Sequence, residues 1–207
     1  FDSQFTRYLK SVARFDFGAV TGGYAWVFPK RRHLSVGVGV FRKHGTLRLA
    51  EQLHAYLHRL GLNPLHAVKP RGSVIPVSPR KDGFVRNRVM LVGDAAGLAD
   101  PLTGEGIWAA VQSGLLAAEA LIQGDCREGD VRTTYEASLR DRILDDLKIG
   151  RALSSLVYGC PRLRNGLFAL HGNRLSRAMA HVVCGRTRYK TLISSPRNYL
   201  RLVSPKG

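Results

Sequence analysis

Between residues 23 and 40 the chain alternates. Tyr24, Trp26 and Phe28 place three aromatic side chains on one face of an extended segment and Ala25 and Val27 on the other, until Pro29 ends the run. A basic turn, Lys30-Arg31-Arg32-His33, leads into Ser35-Val36-Gly37-Val38-Gly39-Val40, where the valines share one face and the glycines the opposite one. This pattern predicts two antiparallel strands joined by a hairpin. Glycines facing one way predict that something large, another element or a ligand, lies against them. The period then changes: Leu49, Leu53, Tyr56, Leu57 and Leu60 recur at helical spacing, with Thr46 as cap and Gly61 at the end. Residues 72–77 predict a short strand and residues 80–88 a polar turn. Val89-Met90-Leu91-Val92 predicts a buried strand that stops at Gly93-Asp94. A loop over residues 95–104 precedes a small-residue helix from about Glu105 to Gln123, closed by Gly124. Asp130 then caps a surface helix to Lys148, with Val131, Tyr135, Leu139, Ile143 and Leu147 on one stripe. Beyond Gly150 the pattern predicts short helical pieces broken at Gly159, Pro161, Gly166, Gly172 and Gly185.

Length and composition narrow this picture. With 207 residues, 44% of them hydrophobic, the chain can bury one sizeable domain, or a domain with a helical tail. Cys126, Cys160 and Cys184 are too few and too scattered for a disulfide framework, and they form no zinc spacing with histidine. His54 and His58 stand at i, i+4, but no Glu completes an H-E-x-x-H arrangement, so no metal site is expected. The cysteine usage fits a reduced, cytoplasmic setting. No run approaches the roughly 20 apolar residues of a membrane span, and the first residues lack signal-peptide order. A chain that begins at Phe1 is expected to be a piece of something longer.

Charge adds a second theme. There are 32 Lys and Arg against 15 Asp and Glu, a net charge of +17, and no acid follows Asp146. An acid-free segment is drawn to polyanions such as anionic lipid, nucleic acid or an acidic protein, and equally reads as a solvated helical face. Its arginines are not interleaved with aromatic residues for base stacking, so nucleic acid is not the expected partner and a membrane surface ranks above it.

The chemistry concentrates in Val92-Gly93-Asp94-Ala95-Ala96-Gly97, followed by Asp100-Pro101-Leu102-Thr103-Gly104-Glu105-Gly106-Ile107. A strand ending in glycine lets backbone approach a ligand, and the next residue offers a short carboxylate suited to a sugar-like hydroxyl. Gly104 and Gly106 at a helix start leave backbone N–H groups and the positive end of the helix dipole facing an anion or electron-rich ring, which a reduced flavin is, for roughly 0.3–2 kcal/mol. Alone, Gly-Asp after an apolar strand is a common strand exit, and three aromatics at period two are more often core than pocket. Gly104-Glu105-Gly106-Ile107-Trp108-Ala109 formally fits a dinucleotide-binding pattern, but it follows Asp-Pro-Leu-Thr and not a strand.

Taken together, these residues resemble the second FAD motif of flavoproteins with the p-hydroxybenzoate hydroxylase type of fold. With residues 23–29 and 36–39 added, they resemble the geranylgeranyl reductase family, over roughly residues 22–124. The resemblance implies an α+β fold. Residues 1–88 would form the mixed or antiparallel sheet of a substrate region, residues 89–124 the C-terminal FAD-contacting strand and helix of a two-domain flavoprotein, and residues 125–207 a basic helical tail. It implies FAD as cofactor, with Asp94 after Gly93 holding a ribityl hydroxyl, Pro101 near the ring, and the Gly104, Glu105, Gly106 and Ile107 backbone facing the pyrimidine edge. Tyr24, Trp26, Phe28 and Pro29 would line a pocket for a prenyl-lipid substrate. The implied activity is reduction of carbon–carbon double bonds in an isoprenoid chain. The alternatives are a flavin monooxygenase of the same fold, which shares the Gly-Asp motif, and a noncatalytic basic membrane- or nucleic-acid-binding module. The family's important cysteine lies in an N-terminal half absent from this sequence, as does the glycine-rich phosphate turn. The catalytic residues, and whether the electron donor is NAD(P)H or a ferredoxin-like protein, stay open.

Overall fold

The computed structural model describes residues 4–41, 48–62 and 70–194; the expected cap at Thr46 lies outside them. The chain forms two compact units, residues 1–73 with 158–161 and residues 74–157 with 162–207.

The first unit holds α1 (Gln4–Leu9), β1 (Arg14–Phe17), β2 (Gly23–Pro29), β3 (Leu34–Val40) and α2 (Leu49–Arg59). The strands form an antiparallel sheet in the order β1-β2-β3, with Trp26 opposite Gly37 and Tyr24 opposite Gly39. The alternation read from the sequence decides the two faces. Ala25 and Val27 are fully buried with Leu9, Tyr56, Leu57, Leu60 and Leu62, so α1 and the apolar stripe of α2 supply the core on that side. The Tyr56 hydroxyl donates to Asp16 at 2.6 Å, and Arg14 Nε donates to the same carboxylate at 2.8 Å. Burial and that hydrogen bond push the Tyr56 phenol well above its ordinary pKa. Gly61, at φ +65°, ends α2 in the left-handed conformation that glycine tolerates best.

The opposite face is aromatic. A Cβ at Gly37 would fall within 2.1 Å of the Trp26 ring, so what lies against the glycines of β3 is the indole of the neighbouring strand. Tyr24, Phe41 and Tyr158 stack in series, with centroids 5.7 and 5.1 Å apart.

The second unit opens with a hairpin, β4 (Val85–Arg86) and β5 (Val89–Met90), turned by Asn87 and Arg88 at positive φ. A 3-10 turn (Gly93–Ala96) follows, then α3 (Ile107–Gln123), α4 (Glu128–Leu139), a π-helical turn (Arg140–Leu144), α5 (Asp145–Gly159), α6 (Pro161–Val183) and α7 (Tyr189–Ser194). All five stripe residues, Val131, Tyr135, Leu139, Ile143 and Leu147, are buried, with Leu98, Ala109, Leu116 and Ala120 across from them. Tyr135 donates to the Leu91 carbonyl at 2.8 Å, and burial raises its phenol pKa to about 12.

Several sequence expectations change here. Residues 72–77 form no strand: Val74 is 90% exposed, and Pro76 cannot donate to a ladder. The expected buried strand over residues 89–92 is a strand only at Val89–Met90, with Val89 exposed, because it pairs locally with Val85–Arg86. The helix expected to start at Asp130 starts at Glu128. It continues through the π turn and past Gly150 to Gly159 because the buried stripe does not stop at Lys148. Gly166 and Gly172 do not break α6. The helix instead kinks at His171 (φ −132°, ψ 20°), beside Gly172, and ends before Gly185 at φ +66°.

Candidate cofactor site

The loop of the second unit is fixed from both sides. Gly93 has φ +51°, and a Cβ there would meet Ala110 Cβ at 2.8 Å, so this glycine gives its space to α3. Its N–H donates to the buried Ser113 hydroxyl at 2.9 Å, and Ser113 donates onward to the Ala110 carbonyl at 3.2 Å. Gly97 closes the 3-10 turn at φ +73°, its N–H bonded to the Asp94 carbonyl. Arg80 N donates to the Ala96 carbonyl at 3.1 Å, which ties the turn to residues 78–80.

Asp94 thus rides on a braced turn with its own side chain exposed. Among the described residues its carboxylate has no hydrogen-bond or ion-pair partner. Asp94 Oδ1 lies 3.0 Å from the point a Cβ at Gly106 would occupy. A solvent-facing carboxylate and a helix start without a side chain therefore adjoin, and any other residue at position 106 would crowd that carboxylate.

The following loop is organised by Asp100. Its Oδ1 accepts from Leu102 N at 2.9 Å, Thr103 N at 2.7 Å and the Thr103 hydroxyl at 2.9 Å. Burial raises the Asp100 carboxyl above its ordinary pKa, opposed by hydrogen bonds from Thr103, Tyr189 and Leu102. Because the folded-state value is the higher one, this group's contribution to stability is fully present below the ordinary carboxylate pKa and is lost as pH rises from there through the raised value.

Glu105 is the main departure from expectation. Its Oε1 accepts from Ile107 N at 2.6 Å and Trp108 N at 3.0 Å. The first two N–H groups of α3, expected to stand open, are capped by the chain's own carboxylate, and an anionic ligand group reaching them would have to displace it. Glu105→Ala is expected to cost about 0.5–2 kcal/mol in equilibrium unfolding, the usual worth of an N-terminal helix cap. Glu105→Gln should lose only the part due to charge at the dipole, about 0.3–1 kcal/mol. An unchanged unfolding midpoint in both variants would mean that the cap contributes nothing.

The remaining predicted residues distribute unevenly. Gly104 has φ +73°, and Ile107 projects into solvent. Pro101 is buried, its ring 3.3 Å from the point a Cβ at Gly150 would reach, and the Tyr189 ring lies against the same glycine. The start of α7 is tied down by Asp146, which accepts from Tyr189 N at 3.2 Å and Lys190 N at 2.8 Å. Gly185 lies against the Trp108 indole. The cavity bordered by Asp100, Thr103, Glu105, Trp108, Thr187 and Arg188 is about 40 Å³, a water-sized space, so on this side the described part of the tail packs on the loop. In the first unit Tyr24 is buried in its aromatic stack, while Trp26, Phe28 and Pro29 keep partly exposed surfaces. Sequence reasoning missed Ser113, Gly150, Asp146 and Tyr189. Only Ser113, a hydroxyl within a small-residue apolar helix, carried a signal that could have found it.

Comparison with known proteins adds to this geometry. No family model matches the chain. It is 37% identical over 122 residues to the chloroplastic geranylgeranyl diphosphate reductase of Arabidopsis thaliana, covering 55% of this chain and 25% of that protein. It is 38% identical over 120 residues to digeranylgeranylglycerophospholipid reductase 1 of Methanococcoides burtonii, 52% of this chain and 28% of the relative. Over these stretches the chain is similar to geranylgeranyl reductases. A third reductase of this kind, from Methanococcus aeolicus, is 30% identical over 155 residues, 70% of this chain and 39% of the relative. The crystal structure of a geranylgeranyl bacteriochlorophyll reductase-like protein from Thermoplasma acidophilum superposes with a TM-score of 0.65 at 25% identity, over 76% of this chain and 42% of that one. The chain combines small antiparallel sheets with helices. It spans between about a quarter and two fifths of the length of these curated relatives.

Proposed function

We propose that this chain supplies the ribityl- and ring-contacting segment and the prenyl pocket of an FAD-dependent reductase of isolated carbon–carbon double bonds in an isoprenoid chain. The observation that carries the reading is the Asp94 carboxylate, solvent-facing and unpartnered among the described residues, set against the bare Gly106 at the start of α3. This arrangement fits a polyhydroxyl chain lying across both from the solvent side. Asp94 would accept a hydrogen bond from a ribityl hydroxyl, and Gly106 would let the cofactor approach the backbone. When bound in its reduced form, the flavin would supply a hydride to one alkene carbon and be reoxidised, while a proton adds to the other carbon. The protein's part is to hold the alkene still and to keep water away from it. The names of the homologues support a prenyl chain as the substrate.

For that substrate, Trp26 and Phe28 are the residues we assign to the pocket wall. Their ring centroids lie 6.0 Å apart in stacked orientation, and they rise from a strand whose other face is core. Trp26→Ala removes the indole from the aromatic face and leaves Ala25 and Val27 in place. It should therefore weaken prenyl-substrate binding by about tenfold or more, the worth of a large aromatic contact, while circular dichroism shows a folded protein. Gly37→Ala is the complementary test, because a Cβ there collides with the Trp26 ring, and it should shift indole fluorescence and substrate affinity together. A Trp26→Ala protein that fails to fold, with Gly37→Ala leaving affinity unchanged, would make Trp26 a core residue only.

The reaction class is tested on the intact protein by its flavin absorbance and by the mass of the product. A gain of two hydrogens marks the reductase, whereas a gain of one oxygen would overturn it in favour of a monooxygenase. A prenyl-lipid substrate resides at a membrane, and the acid-free segment after Asp146 supports contact with an anionic surface. No helix among the described residues is long and apolar enough to cross a membrane.

A further inference from the structure

The outer face of α6 joins two features that soluble helices rarely combine. Leu163, Leu167 and Leu170 follow one another at i, i+4, i+7, which places them on a single ridge, and they are 50%, 39% and 77% exposed. Past the kink at His171, the second part of α6 carries Arg174 and Arg177. The helix contains four arginines and no acid, and no acid lies anywhere beyond Asp146. Arg164 is turned inward, bonded to Asn165 and to the Val157 carbonyl. Arg162 and Arg177, by contrast, are exposed and have no ion-pair or hydrogen-bond partner among the described residues.

An exposed leucine ridge has to be covered by something apolar, and unneutralised guanidinium groups beside it have to be met by something anionic. One surface offers both within a few ångströms of depth: the headgroup and acyl boundary of an anionic bilayer. The part of α6 before the kink, Pro161 to Leu170, is about 15 Å long and can lie in that plane. Nucleic acid offers the charge and not the apolar layer, and the ridge presents leucines where base stacking would need rings. We propose that the outer face of α6 docks on anionic phospholipid, with Leu163, Leu167 and Leu170 entering the boundary and Arg162 and Arg177 bound to headgroups. This assignment rests on α6 alone and stands whether or not the flavin reading holds.

Sedimentation of the intact protein with vesicles tests it, comparing pure phosphatidylcholine with vesicles containing about 30% phosphatidylserine. Binding to the anionic vesicles should exceed binding to the neutral ones by tenfold or more and fall steeply between roughly 0.1 and 0.5 M salt. Arg162→Gln with Arg177→Gln should lower it about tenfold or more, each cation being worth about fivefold. Replacing all three leucines by serine should lower it further, at high salt as well. All five side chains are exposed, so near-ultraviolet circular dichroism should be unchanged in both variants. Equal binding to neutral and anionic vesicles would overturn the proposal, as would either variant binding like the parent. It would equally be overturned by leucine-dependent self-association without vesicles, which makes a second copy the occupant, or by tighter binding to a duplex oligonucleotide that ignores the leucine changes.

Discussion

Gly97→Ala is expected to destabilise the second unit by about 2–5 kcal/mol, more than any other single-methyl change in the candidate site. Two costs combine. At φ +73° an alanine occupies the left-handed region, which costs about 1–2 kcal/mol. The new Cβ would also stand 2.0 Å from the Ser78 carbonyl oxygen, and the obstacle is backbone, which cannot rotate away as a side chain could. Either the 93–97 turn or the 78–80 segment has to move, and the hydrogen bond from Arg80 N to the Ala96 carbonyl joins the two. Gly61→Ala isolates the first cost, because Gly61 has φ +65° but nothing within 4 Å of its Cβ position; it should lose only about 1–2 kcal/mol. Urea unfolding of both variants gives the comparison. If they fall by the same amount, the Ser78 contact relaxes freely and does not brace the turn.

This bracing also shows what the sequence could and could not reveal. The alternation in residues 24–28 predicted both faces of β2, because period two is a local property of extended backbone and Ala25 and Val27 are the small apolar partners a helix-covered face requires. The stripe Val131, Tyr135, Leu139, Ile143, Leu147 was equally legible. Its continuation past Lys148 was not, because the π turn at residues 140–144 shifts the helical phase by a residue that no periodicity count anticipates. Intrinsic propensity predicts breaks at Gly166 and Gly172. A cost of about 1 kcal/mol per glycine is too small to end a helix held elsewhere by packing, and the strain appears only as the kink at His171.

In the site, the sequence named Asp94 and Gly106 but not their spatial relation, and it assigned the close approach at Gly93 to a ligand where the structure assigns it to Ala110. Glu105 shows the limit most clearly. The same glycine-rich spacing that leaves a helix start bare also lets a neighbouring carboxylate fold back onto it, and only coordinates distinguish the two. The approaches of Tyr189 and Pro101 to Gly150 span some 40 to 50 residues of chain, beyond the reach of any local pattern.

Asp94→Ala should separate flavin binding from folding more cleanly than any other change. The side chain is exposed and has no partner among the described residues, so its removal should alter unfolding free energy by no more than about 0.5 kcal/mol. The braces of the turn, the bonds of Gly93 N to Ser113 and of Gly97 N to the Asp94 carbonyl, involve no atom of the deleted carboxylate. A hydrogen bond from a ribityl hydroxyl to a charged acceptor is worth about 1.5–3 kcal/mol, so in the intact protein the dissociation constant for FAD should rise about 10- to 150-fold. Asp94→Asn, which keeps an acceptor oxygen and loses the charge, should fall between parent and alanine variant. Gly106→Val provides the independent check on the same spot: its Cβ would stand 3.0 Å from Asp94 Oδ1, close enough to crowd the path assigned to the cofactor, and it should weaken FAD binding with Asp94 intact. Flavin fluorescence titration reads all three. A folded Asp94→Ala protein that binds FAD as tightly as its parent would remove the carboxylate from the cofactor site, and with it the observation on which the functional reading stands.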